Sequence, residues 1–127
     1  MASEFLTDIT QKVLARTLDA SAYRQKTIAN NIANVETPGY KRRYVSFEDE
    51  LNTLLKSGTR RDIRKGLNEM SFVSKADYDS PTRPDGNNVN IDAEMADLAK
   101  NSLKYRAITT LLEGKGSMLR SAIMGGR

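Results

Sequence analysis

The chain has no cysteine, no histidine and no tryptophan. Without the first two it lacks the commonest general base, the commonest metal ligand and the most reactive nucleophile. Zinc centres, Cys–His catalysis and Ser-His-Asp triads are excluded. The carboxylates show no paired arrangement that supports acid–base chemistry. No catalytic residue, cofactor site or metal site is therefore expected, and the chain reads as a non-enzyme. Disulfides are impossible, so cysteine usage does not fix a compartment. Aromatic residues make up only 6% of the 127 positions, a thin supply for a self-sufficient core. A partner that completes the core is an expectation from the outset. No apolar run approaches the roughly 18–20 residues of a membrane span. Residues 1–9 (MASEFLTDI) have no basic stretch and no continuous apolar stretch, so they do not read as a cleaved secretory signal. The net charge of +4 is mild, permits an acidic partner and does not point to nucleic acid.

What is present falls into three zones, 1–40, 41–90 and 91–127. In the first, Leu14, Leu18, Ser21, Gln25, Ile28, Ile32 and Val35 follow four-three spacing, the seam pattern of a coiled coil. Leu6, Ile9, Val13 and Ala20 form a partial second stripe. The spacing predicts a helix from about Thr7 to Val35, roughly 40 Å long. It should end near Asn34, because Pro38 pushes Thr37 out of helical geometry. Thr37-Pro38-Gly39-Tyr40 fits a type II turn, with proline second and glycine third.

The third zone begins at Asn90 or Asp92, either of which can cap a helix. Ile91, Leu98, Tyr105, Ile108, Leu112, Leu119 and Ala122 lie on three-four spacing, while Glu94, Asn101 and Lys115 fill the remaining seam positions. Gly114 and Gly116 predict a bend or a loose turn, at about 1 kcal/mol each against alanine. Between the two helices the pattern is irregular. Residues 45–55 suit a short amphipathic helix, with Phe47, Leu51, Leu54 and Leu55 on one side. Residues 70–73 are a candidate strand, and residues 77–88, with Pro81, Pro84 and Asp85-Gly86, read as a loop. The expected fold is mainly α, two long terminal helices in a coiled-coil-like hairpin around an irregular middle. Pairing the seams would leave Val13, Met95 and Leu111 exposed, and exposed stripes call for a partner.

The stretch Asn30-Asn31-Ile32-Ala33-Asn34 is the most informative. Three asparagines near a helix end are unfavourable for the helix itself. One reading is a fraying C-terminus with asparagine in capping geometry. The other is a close interface at which amides donate and accept across subunits. Lys41-Arg42-Arg43, Arg60-Arg61 and Arg64-Lys65 form basic clusters, read as solvated faces or intersubunit ion pairs of small worth. Asp77, Asp79 and Asp85 lack the glycine and glutamate of an EF-hand loop.

Residues 29–34 (ANNIAN) followed by Thr37-Pro38-Gly39-Tyr40 resemble the N-terminal signature of the flagellar rod and hook family of axial proteins. Residues 85–95 (DGNNVNIDAEM) and 101–105 (NSLKY) resemble the C-terminal block of its proximal rod members. The resemblance covers both terminal zones and leaves the middle unmatched. It implies a structural subunit of the proximal rod, exported by the type III route without cleavage and stacked helically into a shaft that transmits torque. Its implied partners are further copies of itself, other rod proteins, and basal-body adaptor and export-gate proteins. Nucleic acid and a direct membrane span are not among them. The implied assembly interface comprises Leu14, Leu18, Ile28, Asn30, Asn31, Ile32, Asn34, Pro38, Gly39, Tyr40, Leu98, Tyr105, Ile108, Leu112 and Leu119. Phe5 and Ile9 are similar to an export-gate recognition element; they also suit the start of the first helical stripe, at i and i+4. The rival readings are another flagellar axial or adaptor protein and a small basic helical nucleic-acid binder, for which no recognition motif is present.

Overall fold

The computed structural model of the chain describes residues 2–56 and 58–125, with side chains described for 8–56, 58–118 and 120–125. The side chains of Phe5 and Leu119 lie outside the described residues. The elements in order are α1 (Ala2–Ala33), β1 (Arg43–Val45), α2 (Glu48–Lys56), α3 (Arg60–Glu69), β2 (Ser74–Ala76) and α4 (Ile91–Ile123).

The expected mainly α architecture holds. α1 and α4 pair along their lengths. Asn31 meets Glu94 and Ser21 meets Asn101, so numbers fall on one helix as they rise on the other and the pair is antiparallel. α1 ends at Ala33, and Thr37-Pro38-Gly39-Tyr40 closes with a Tyr40 N–H to Thr37 carbonyl bond of 3.2 Å. Gly39 sits at φ +75°, the positive φ that a type II turn needs at its third residue. Asn90, rather than Asp92, caps α4: its Oδ1 accepts from the amides of Asp92 and Ala93 at 3.1 and 3.2 Å. α4 then runs unbroken for 33 residues through Gly114 and Gly116. About 1 kcal/mol per glycine is too little to interrupt a helix of that length.

The middle zone is more ordered than its composition suggests. α2 forms at the expected amphipathic segment. α3 is an element that its polar sequence conceals. Thr59 and Asp62 build a capping box at its start, and Leu67, fully buried, anchors it. The strand expected at 70–73 forms instead at Ser74–Ala76, antiparallel to β1 with Tyr44 opposite Lys75. Met70 and Phe72 use their apolar side chains to reach the core rather than their backbone to pair. Phe72 meets Phe47 edge-on at 5.5 Å, beside Ala20 and Val45 of the buried cluster. Arg16 lies 4.7 Å over the Phe72 ring and donates to the Met70 carbonyl, fastening this segment to α1.

Candidate functional site

The closed end of the hairpin is a buried polar latch. Asn31 stands on the last turns of α1 with none of its surface exposed. Its Nδ2 donates to the Arg43 carbonyl at 2.8 Å and to Glu94 Oε2 at 3.1 Å. Its Oδ1 accepts from the Tyr40 hydroxyl at 3.0 Å and from the Arg43 amide at 2.9 Å. Two donors and two acceptors exhaust a carboxamide. The type II turn brings Tyr40 back over the helix end, which is why one residue can bind both. Glu94, on the first turns of α4 and 1% exposed, also accepts from Arg42 Nε at 2.7 Å. Arg42 reaches Asp77 at 3.0 Å with its Nη1, and its amide donates to Asn88 Oδ1 at 2.7 Å. Asn87, fully buried, donates from Nδ2 to the carbonyls of Asn34 and Thr37, both at 2.9 Å. Asn87 therefore fastens the turns that follow α1, while Asn88 donates to the Asp77 carbonyl.

The turn at 85–87 docks backbone to backbone on the turn at 37–40. The Gly39 amide donates to the Asp85 carbonyl at 2.8 Å, and Lys41 donates to the Gly86 carbonyl. Gly86 adopts φ +86°, and a Cβ there would stand 3.2 Å from the Gly39 Cα. Only glycine fits such an approach with such a φ. The signature at 30–40 and the block at 85–95 are thus two halves of one structure.

Electrostatics follow from this closure. Burial works against the Arg42 charge, but Glu94 and Asp77 outweigh it and hold the guanidinium protonated more firmly than usual. The Ser80 hydroxyl, the Asp79 amide and Arg42 hold the Asp77 carboxyl well below the usual range. Burial pushes the Tyr40 phenol up against the opposing charge of Arg43. Asp77 therefore serves an internal turn, and among the described residues no group of three carboxylates is arranged to hold a metal ion.

Further along the hairpin, the polar seam positions find each other. Asn101 Nδ2 donates to the Ser21 carbonyl and to Gln25 Oε1, both at 2.8 Å. Around this layer Ile28 and Ile108 are buried, while Leu14, Leu18, Ile32, Leu98 and Leu112 are half-buried between the helices. Ile9 and Val13 are half-buried too. Val13 is more covered than a bare hairpin predicts, because α3 lies against α1 and ties to it through Arg64–Asp8 and Lys12–Asn68. Asn34 and Tyr40 are half-buried, and Asn30, Pro38 and Gly39 are exposed. Asn31, Asn34 and Tyr40 thus direct hydrogen bonds into their own chain, because Glu94, Arg43 and Thr37 present matching groups there. Lys41 and Arg42 do the same, so this basic cluster turns inward.

A second surface remains uncovered. Outside the seam, α4 carries Met95, Leu103, Leu111 and Met118 exposed, with Leu103 at 67% and Met118 at 74%, and Tyr105 and Ile123 are exposed on the seam side. Single exposed apolar residues are ordinary; a row of them along one helix marks an interaction surface. Sequence spacing finds Met95 and Leu111 of this row and passes over Leu103 and Met118. It misses Arg42, Asn87 and Asn88 as latch residues, although a glutamate at a buried seam position signals that a cation must reach it.

The family model described as flagella basal body rod protein matches residues 12–41, most of α1 and its closing turn. The chain is 33% identical over 121 residues to the flagellar basal body rod protein FlgB of Bacillus subtilis (strain 168), covering 90% of this chain and 92% of that one. It is 38% identical over 111 residues to FlgB of Borrelia hermsii, covering 76% and 82%. It is 34% identical over 122 residues to FlgB of Salmonella typhimurium, covering 86% and 88%.

Proposed function

As this chain belongs to the flagellar basal body rod protein FlgB family and is a structural subunit of the rod, we propose that it polymerises through the uncovered face of α4 and the exposed flanks of α1. The observation that carries this reading is the apolar row on α4, which the hairpin, α2 and α3 leave in solvent. Burying it against neighbouring helices contributes about 25 cal/mol per Å² of apolar area and offsets the ordering of the helix ends. Close packing between such helices resists deformation and suits a shaft that transmits torque. The partners in this reading are further copies of the chain and other rod proteins, with adaptor and export-gate proteins at the base of the shaft. The shaft lies in the periplasm, and the chain reaches it without cleavage of a signal. Phe5 and Ile9 retain their proposed part in export. No helix among the described residues is long and apolar enough to cross a membrane. The role is mechanical, and the interface residues act by packing rather than by chemistry.

The test is complementation of a strain lacking the chain. The wild-type chain should restore rod, hook and filament, and Leu103→Glu with Met118→Glu should leave the basal body ending at its membrane ring. The same double variant should fold as a monomer with unchanged circular dichroism. Full motility of the variant would refute the proposed face.

A further inference from the structure

The two short helices carry their charges in opposite senses. α2 begins with Glu48, Asp49 and Glu50 and ends with Lys56, the order that a helix dipole favours. α3 has the reverse order. Its first turn holds Arg60 and Arg61 against one carboxylate, Asp62, which the capping box employs, and its last turn holds Glu69 and no cation. Charges so placed oppose the dipole and weaken the helix. Packing adds a second cost. The helices fold back on one another: the Leu54 side chain lies against Gly66, and Phe47, Leu51 and Met70 meet in one apolar cluster. The acidic start of α2 therefore stands beside the acidic end of α3, and Lys56 stands beside the basic start. Reversing the charges of α3 would remove both penalties, so the isolated chain gives no reason for their order. A contact outside the chain does.

Asp49, Glu50 and Glu69 at one end of the pair, and Lys56 and Arg61 at the other, are exposed, and none has an ion-pair partner among the described residues. Even Lys65, one turn before Glu69, makes no ion pair with it. From Arg61 to Glu69 is about 12 Å along the helix, longer than the roughly 8 Å over which physiological salt screens exposed charges. The two ends thus do not neutralise each other within a chain. α3 also runs beside α1 in the same direction, as Asp8 meets Arg64 and Lys12 meets Asn68. The opposite charges are therefore offset along the long axis of the hairpin. A copy shifted along that axis sets its acidic end against the basic end of its neighbour. Such a heterologous contact continues from copy to copy.

We infer that the acidic end of the α2–α3 pair in one copy docks on the basic end of that pair in the next, fixing the orientation in which copies join. This rests on the proposed polymerisation and adds a charge-guided contact to the apolar one. Complementary charge sets partner and register more than affinity.

Charge swapping tests it in a strain lacking the chain. Lys56→Glu with Arg61→Glu makes both ends acidic, and Asp49→Lys with Glu50→Lys makes both ends basic. Either full-length variant should leave about tenfold fewer copies per isolated basal body than wild type, as like charges facing across a contact imply. The two variants expressed together should restore incorporation, because each supplies the end that the other needs. One chain carrying all four substitutions should do the same. The isolated variants should melt within about 4 °C of wild type, since every substituted side chain is exposed. Wild-type copy numbers for either two-residue variant would overturn the inference. So would a failure of both the mixture and the fourfold variant to restore incorporation, which would assign the charged ends to a different protein whose own charges the swap leaves unmatched. Absence of the wild-type chain from basal bodies would instead overturn the polymerisation reading.

Discussion

The two ends of the helical hairpin are built differently. At the closed end, Asn31, Glu94, Arg42 and Asn87 are buried or nearly so and bind one another or nearby backbone. At the open end, Leu111, Met118 and Ile123 of α4 face solvent. Both ends carry the same kind of amphipathic pattern. What separates them is satisfaction: one surface has its groups matched within the chain, and the other has apolar area with nothing over it. A subunit built this way arrives with its geometry fixed at one end and its adhesive surface free at the other.

Substitutions at the closed end should have the largest effect on the isolated chain. Glu94→Leu leaves the Arg42 guanidinium without its buried partner and should lower stability by about 3–5 kcal/mol, read as a fall in the denaturation midpoint. Leu111→Ser at the open end should move the same midpoint by no more than about 0.5 kcal/mol. Equal losses would erase the distinction between the ends. Glycines sharpen it next. Gly86→Ala imposes a Cβ at positive φ against Gly39 and should cost about 1–3 kcal/mol in thermal unfolding. Gly116→Ala faces open space on a helix and should instead stabilise by about 0.4–1 kcal/mol. Acid gives the smallest effect, between the ends. Arg24, and with it Lys104, holds the Glu48 carboxyl down from 4.5 to about 2. A depressed carboxylate stabilises the fold above its unfolded value and loses that contribution as pH falls from 4.5 towards 2. Glu48 is half exposed and screened by solvent. Glu48→Gln should therefore flatten the acid limb of the stability curve only slightly, with no change in slope near pH 7.

The long helices are legible in the sequence because their seams repeat over many turns and their stops are chemically explicit: Pro38 after α1, and Asn90 before α4. The polar interruptions at Ser21, Gln25, Glu94 and Asn101 are legible as positions. Their pairing is not, since it depends on the register at which two distant segments meet. α3 escapes detection because Ile63 and Leu67 are its only strongly apolar residues; the capping box at Thr59 and Asp62 is the signal that finds it. The strand lies beyond its predicted place because Met70 and Phe72 look like strand residues while serving the core. Of the asparagines near residue 30, one follows the capping reading and another follows neither of the two. Asn31 is an internal brace, Asn34 closes its own helix end by donating to the Asn30 carbonyl, and Asn30 alone is left facing outward.

The short ladder between β1 and β2 sets Val45 directly against Ser74. The chain thus leaves the hairpin and rejoins it at almost the same point, and α2 and α3 hang from that doorway. A longer or differently folded cargo could be grafted between those two positions without altering how the shaft-forming helices meet, provided it still supplied a plug for the hollow beside Ala20.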